Sequence, residues 1–131
     1  MITLGLYSNI GNHPTLISCD AIEQIESTPA NSVVILPFNN KDLPIYEKNN
    51  QHLAIKVTSI LEFILVAKCN VKYAISEYSL AVKLQKITEN YFYDTKVLGT
   101  IIDESEIEKA ALDELDGVYY SKYIRKLRDL H

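Results

Sequence analysis

Apolar runs in this chain repeatedly end in a polar residue just before the next segment begins, and the residues at those junctions are the ones equipped for chemistry. Asn9, Asn39, Ser59, Glu77, Ser79, Asp103 and Lys122 stand there. Amides and hydroxyls hydrogen-bond polar ligands, carboxylates move protons or hold divalent cations, and a lysine neutralises an anion. Glu77 and Asp103, at the ends of successive runs, are the carboxylates best placed to converge.

Helix capping accounts for several of these residues without any ligand. Asp103 precedes Glu106 by three positions, and Ser59 precedes Glu62 by three, which is the spacing of a capping box. Ser59 and Ser79 open helical stretches, whose free backbone N–H groups attract anions. A small polar or anionic ligand would sit there. The glycines that let a phosphate approach the backbone are missing, since the chain holds only Gly5, Gly11, Gly99 and Gly117. No GxGxxG, P-loop or GxSxG element occurs. His13, His52 and His131 are too dispersed for metal-ligand spacing, and neither Cys19 nor Cys69 lies in a CxxC. The two cysteines read as reduced, packed thiols. Neither a metal nor a cofactor is implied, and no residue is marked as catalytic.

The elements that must position these residues alternate strand and helix. Apolar runs at 71–76, 96–102 and 117–120 are separated by helical stretches at about 79–93 and 104–115. Residues 32–38 and 53–57 read as further strands, and 60–69 as a helix that is apolar almost all round. In the 79–93 helix, Leu80, Leu84, Ile87 and Tyr91 fall on one face. Residues 2–8 and 15–18 suggest two strands joined as a hairpin, followed by a helix near 21–27 capped by Asp20 and Glu23. From 39 to 51 the pattern dissolves into the longest irregular segment. A short amphipathic helix with Tyr123, Leu127 and Leu130 along one side is expected in the tail, 122–131.

Length and composition set the bounds. At 131 residues, with 47% hydrophobic and 23% charged residues, the chain suits one globular domain spanning 1–131. Its net charge of −4 argues against a nucleic-acid surface. The most apolar run, 60–67, contains Glu62 and is far short of the ~20 residues of a membrane span. No basic stretch precedes the first apolar residues, so a cytoplasmic location is expected.

The alternation predicts a three-layer α/β fold, Rossmann- or flavodoxin-like, with a mainly parallel sheet of five or six strands and flanking helices. An N-terminal hairpin would make that sheet mixed. No motif assigns a reaction. Nine tyrosines, five of them at Tyr91, Tyr93, Tyr119, Tyr120 and Tyr123, suit an interface. Residues 103–116 carry seven acids against Lys109, whereas Lys122, Arg125, Lys126 and Arg128 make the tail basic. Together with helix 60–69, these features predict a small module that self-associates, as a homodimer, or binds a protein partner. The alternative is a small-molecule-binding protein or enzyme using the crevice at the carboxyl ends of the strands.

Overall fold

Each short apolar run bounded by polar residues becomes a strand: β1 (Ile2–Leu4), β2 (Thr15–Ser18), β3 (Ser32–Pro37), β4 (Leu53–Lys56), β5 (Tyr73–Ser76), β6 (Lys96–Thr100), β7 (Gly117–Tyr119) and β8 (Arg125–Lys126). The computed structural model describes residues 1–5, 15–28, 31–121 and 125–126. These strands form one sheet in the order β1-β7-β6-β5-β4-β3-β2-β8, with every pair parallel. Between them lie α1 (Leu43–Lys48), α2 (Ile60–Lys68), α3 (Tyr78–Tyr91) and α4 (Glu106–Leu112). The parallel α/β sheet with flanking helices is therefore present. Among the described residues it has eight strands in place of five or six, the last only two residues long.

Strand order is what the sequence does not disclose. From β2 to β7 each strand lies beside its predecessor, with no reversal. Crossovers between parallel strands are right-handed, so a walk in one direction carries every connecting helix to the same face. Burial divides the strands accordingly. Val34, Leu36, Leu53, Ile55, Ala74, Val97 and Val118 pack in one cluster with Phe63 and Val66 of α2, Ala81 and Leu84 of α3, and Ala110 of α4. The alternate residues Leu4, Val33, Ile35, Ala54, Tyr73, Ile75, Leu98 and Tyr119 form a second cluster made of strand residues alone. A period of two sends neighbours to opposite faces, which produces this division.

Among the described residues the inner cluster has no helix over it, and the curl of the sheet buries it. Lys56, the last residue of β4, places its Nζ 5.6 Å from the ring centroid of Tyr119, the last residue of β7. In a flat sheet, three strand spacings alone would come to about 14 Å.

Several expectations are corrected. β1 and β2 make no hairpin: β1 pairs with β7, and β2 pairs with β3 and β8, all in parallel. The segment after β2 is a 3-10 helix, Ile22–Ser27. Its start is fixed by Gln24, not Glu23, whose side chain accepts from the N–H groups of Asp20 and Ala21 at 2.7 and 3.1 Å. The 39–52 stretch is ordered by α1 and two 3-10 turns, with Pro44 in the first turn of α1 where its missing N–H costs nothing. Tyr46 anchors that stretch. Its ring is fully buried, and its hydroxyl accepts from the Asn39 N–H at 3.0 Å. The buried face of α3 is Ala81, Leu84, Gln85 and Thr88, while Tyr91 is exposed. Leu84 is buried and Leu80 and Ile87 pack against the core as the periodicity predicts, so Tyr91 alone departs. The periodicity does not find Gln85 and Thr88, which are polar and hydrogen-bonded. In the tail, 125–126 is strand rather than helix. Tyr123, Leu127 and Leu130 lie outside the described residues.

α2, α3 and α4 stop in the same way. Asn70, Phe92 and Glu114 take left-handed φ values of 58, 55 and 59°. The following N–H then reaches back five residues: Val71 to Val66 at 3.5 Å, Tyr93 to Thr88 at 3.2 Å, and Leu115 to Ala110 at 3.1 Å. This Schellman closure satisfies helix-end carbonyls and turns the chain into the next strand.

Two glycines bound how tightly the layers approach. A Cβ on Gly117 would lie 2.3 Å from the Ile2 carbonyl oxygen and 2.8 Å from Leu98 Cδ2, so β1 and β7 have no room for one. A Cβ on Gly99 would meet only side chains, the nearest being Leu115 Cδ1 at 3.1 Å. Gly117→Ala is therefore expected to lower stability by about 2–3 kcal/mol, and Gly99→Ala by about 1 kcal/mol or less. Urea denaturation midpoints measure both, and equal losses would show that the β1–β7 approach is not the tighter constraint.

Candidate functional site

In parallel α/β sheets, and in curled sheets with helices outside, loops at the carboxyl ends of the strands carry the chemistry. The expected site residues that are described all lie at that end, and each is engaged within its own loop. The Asn39 side chain accepts from the Lys41 N–H at 3.0 Å. Ser59 caps α2 by accepting from the Glu62 N–H at 3.1 Å, while the Glu62 carboxylate accepts from the Thr58 N–H at 2.9 Å. The Ser79 hydroxyl donates to Glu77 Oε1 at 3.0 Å.

Asp103 accepts from the Ser105 N–H at 2.9 Å, and Glu106 accepts from the Ile102 and Asp103 N–H groups at 2.7 and 2.9 Å. Those donated N–H groups hold the Glu106 carboxyl below its ordinary pKa. Glu77 and Asp103 are thus each bound into their own loops rather than to one another. Among the described residues, no group of three or more His, Cys, Asp or Glu side chains is arranged to hold a metal ion. Asn9 and Lys122 lie outside the described residues, as does His13.

What the structure brings together is a pair the junction pattern passes over. Lys56 and Tyr119 end their strands with side chains on the inner face, above Ala54, Ile75 and Leu98. Tyr119 is 3% exposed, and burial pushes its hydroxyl pKa up, so it stands as a neutral donor. Lys56 is exposed, and the Tyr119 ring is its partner among the described residues. Thr100, also a terminal strand residue, donates its hydroxyl to the Ser76 carbonyl at 2.9 Å. The signal in the sequence was Lys56 itself, a charge at the end of the otherwise apolar run Leu53-Ala54-Ile55.

The opposite end of the sheet is built for stability. Asp116 accepts from the Val97 N–H at 2.9 Å through its side chain and from the Ile2 N–H at 3.0 Å through its carbonyl. Its own N–H donates to Gln85 Oε1 at 2.8 Å, so one residue ties β1, β6 and α3 together. Fully buried Thr95 donates to the Val71 carbonyl at 2.6 Å.

A second surface feature lies at the end of α3. Tyr93 makes an edge contact with buried Phe63 of α2, with centroids 6.1 Å apart, and stacks on Tyr91 at 6.0 Å. The row runs from the core to a Tyr91 ring that is 69% exposed, beside a Phe92 that is 88% exposed. No family model and no curated protein matches the chain.

Two measurements follow from the ionisable groups. Burial pushes both thiols up, with Asp20 adding at Cys19 and Glu47 at Cys69. Neither is a poised nucleophile. A thiol reagent such as DTNB is expected to label the native protein only as it opens, and the urea-unfolded chain at once. Fast native labelling at pH 8 would contradict this.

Tyr78 donates its hydroxyl to Asp113 under the Lys109 ammonium, which lies 4.6 Å from its ring centroid. Burial first, then that bond and the Asp113 charge, push its pKa up to about 12. The bond needs the protonated phenol. Its contribution is therefore full below the ordinary value near 10 and lost as pH rises through about 12. A tyrosine ¹³Cζ titration should show this late ionisation, and Asp113→Asn should bring it down; an unchanged titration would remove Asp113 as a cause.

Proposed function

We propose that this chain is a small α/β module that works by docking a second protein surface, most directly another copy of itself. The observation that carries the reading is Phe92. A phenylalanine at left-handed φ pays about 1 kcal/mol in backbone energy, and this one recovers little by burial, being 88% exposed at a φ of 55°. Asn70 meets the same backbone requirement at the end of α2 with a side chain that tolerates it. A residue poorly suited to the free protein is explained by a state in which its ring is covered.

The surroundings support such a state. Tyr91 and Tyr93 are stacked, so part of their rotamer freedom is already lost before docking. Aromatic side chains held in this way are the usual anchors of protein interfaces. Leu61 on α2, 67% exposed, adds apolar surface on the same helical face of the sheet. The helix expected to be apolar all round does bury Phe63, Val66 and Ala67 and leave Ile60 and Leu61 outside.

Phe92→Asn separates docking from folding. The substitution is expected to raise monomer stability by about 1 kcal/mol or less while abolishing the dimer mass in a native mass spectrum at low micromolar concentration. A monomeric wild-type spectrum at tens of micromolar, or a dimer indifferent to Phe92→Asn, would sink the reading.

A further inference from the structure

A site independent of the aromatic surface lies at the other end of the sheet. We propose that Lys56 and Tyr119 form the recognition point for a small oxyanion, the phosphate or carboxylate group of a soluble ligand, at the carboxyl-end mouth of the curled sheet.

The inner face is apolar through its depth and changes character in one step at its rim. Ala54, Ile75 and Leu98 form the floor. Lys56 is the cation at the carboxyl end of that face among the described side chains. Its side chain does not turn to the neighbouring strand's Glu77, whose carboxylate accepts from the Ser79 hydroxyl. It extends instead across the mouth to the Tyr119 ring, 5.6 Å from the centroid. The positive charge is therefore held over the floor without a neutralising acid among the described residues. An ammonium offers three donors and a compact charge, which suits an oxyanion better than a neutral ligand.

Tyr119 supplies the second donor. Its ring is buried in the inner cluster, and its hydroxyl donates to no other described residue. Thr100 adds no donor, because its hydroxyl is committed to the Ser76 carbonyl. The alternative anion positions near this end, the first turns of α2 and α3, are already supplied with protein carboxylates. Glu62 accepts from the Thr58 N–H at the start of α2, and Glu77 flanks the start of α3. An anion there would meet like charge. The geometry thus moves anion recognition from Ser59 and Ser79 to Lys56, the last residue of β4.

The test is a titration of the intact protein followed in ¹H–¹⁵N correlation spectra. Inorganic phosphate and acetate are the two probes, each against chloride at matched ionic strength. Saturable shifts centred on Lys56, Thr100 and Tyr119 are expected for at least one oxyanion and not for chloride, and the better probe names the headgroup. Lys56→Gln, at an exposed position that leaves the fold intact, is expected to weaken binding by about tenfold or more. Lys56→Arg should retain most of it, and Tyr119→Phe should weaken it by less than Lys56→Gln. Equal binding by wild type and Lys56→Gln would overturn the proposal, as would shifts scattered over the other lysines or no saturable shift with either probe. None of these outcomes depends on the oligomeric state, so this site and the aromatic docking surface stand or fall separately.

Discussion

Among the described residues, nothing but the sheet itself buries its inner face. This follows from consecutive parallel strands joined by crossovers of one hand, which place α2, α3 and α4 against the same outer cluster. Eight strand residues are left on the other side, and their burial depends on curvature. Curvature in turn depends on close approach. Gly117 lets β7 lie against β1 with no Cβ between them, and Gly99 lets α3 and Leu115 settle against β6. Apolar burial is worth roughly 25 cal/mol per Å², so a wedge that opened the inner face would lose far more than the contact it displaced. The rest of the architecture inherits that dependence, including the distance across the mouth from Lys56 to Tyr119.

Curvature also makes the two ends of the sheet unequal. At the amino end, backbone groups leaving the helices are buried and must find partners. Asp116, Gln85, Thr88 and Thr95 supply them, which is why polar residues occupy interior positions there. At the carboxyl end, the loops satisfy themselves through Asn39, Ser59, Ser79 and Asp103, each bonded within its own turn. Of the strand ends between these loops, Thr100 is bonded to the Ser76 carbonyl, while the Lys56 side chain makes no hydrogen bond to the described residues. A charge such as Lys56 can stand at that rim because no backbone there needs it.

Much of the fold was legible because short apolar runs bounded by polar residues admit few alternatives. β3, β4, β5, β6 and β7 fall within the runs the sequence offers, and Ser59 caps α2 through the Glu62 N–H as its spacing predicts. At 103–106 only half the box forms: Glu106 accepts from the Asp103 N–H, while Asp103 accepts from the Ser105 N–H. The failures have particular causes. A parallel partner lies far off in sequence, so residues 2–8 and 15–18, close together in the chain, looked like a hairpin; β1 in fact pairs with β7. Helix ends are usually read from glycine, and here the left-handed positions are Asn70, Phe92 and Glu114. The periodicity of α3 found Leu80, Leu84 and Ile87 but not Gln85 and Thr88, which are interior for their hydrogen bonds. Polar junction residues were legible as a set, but their occupation by capping was visible only for the box pairs. Lys56 and Tyr119 were missed because their meeting is a product of curl, and no pattern within one strand encodes that.

The three helix ends give an internal control on the exposed aromatic. All use one backbone device, and at each the residue after the left-handed position is drawn inward: Val71, Tyr93 and Leu115. The device therefore constrains that following residue and the left-handed φ, and asks nothing apolar of the left-handed position itself. Asn70 and Glu114 conform, with polar side chains in water. Phe92 departs from its two counterparts in the one property the turn does not require, while sharing every property it does. Selection for folding alone would favour asparagine or glycine there. The ring at position 92 is thus a feature of the surface rather than of the turn, and its neighbours Tyr91 and Tyr93 connect that surface by ring contacts to Phe63 in the core.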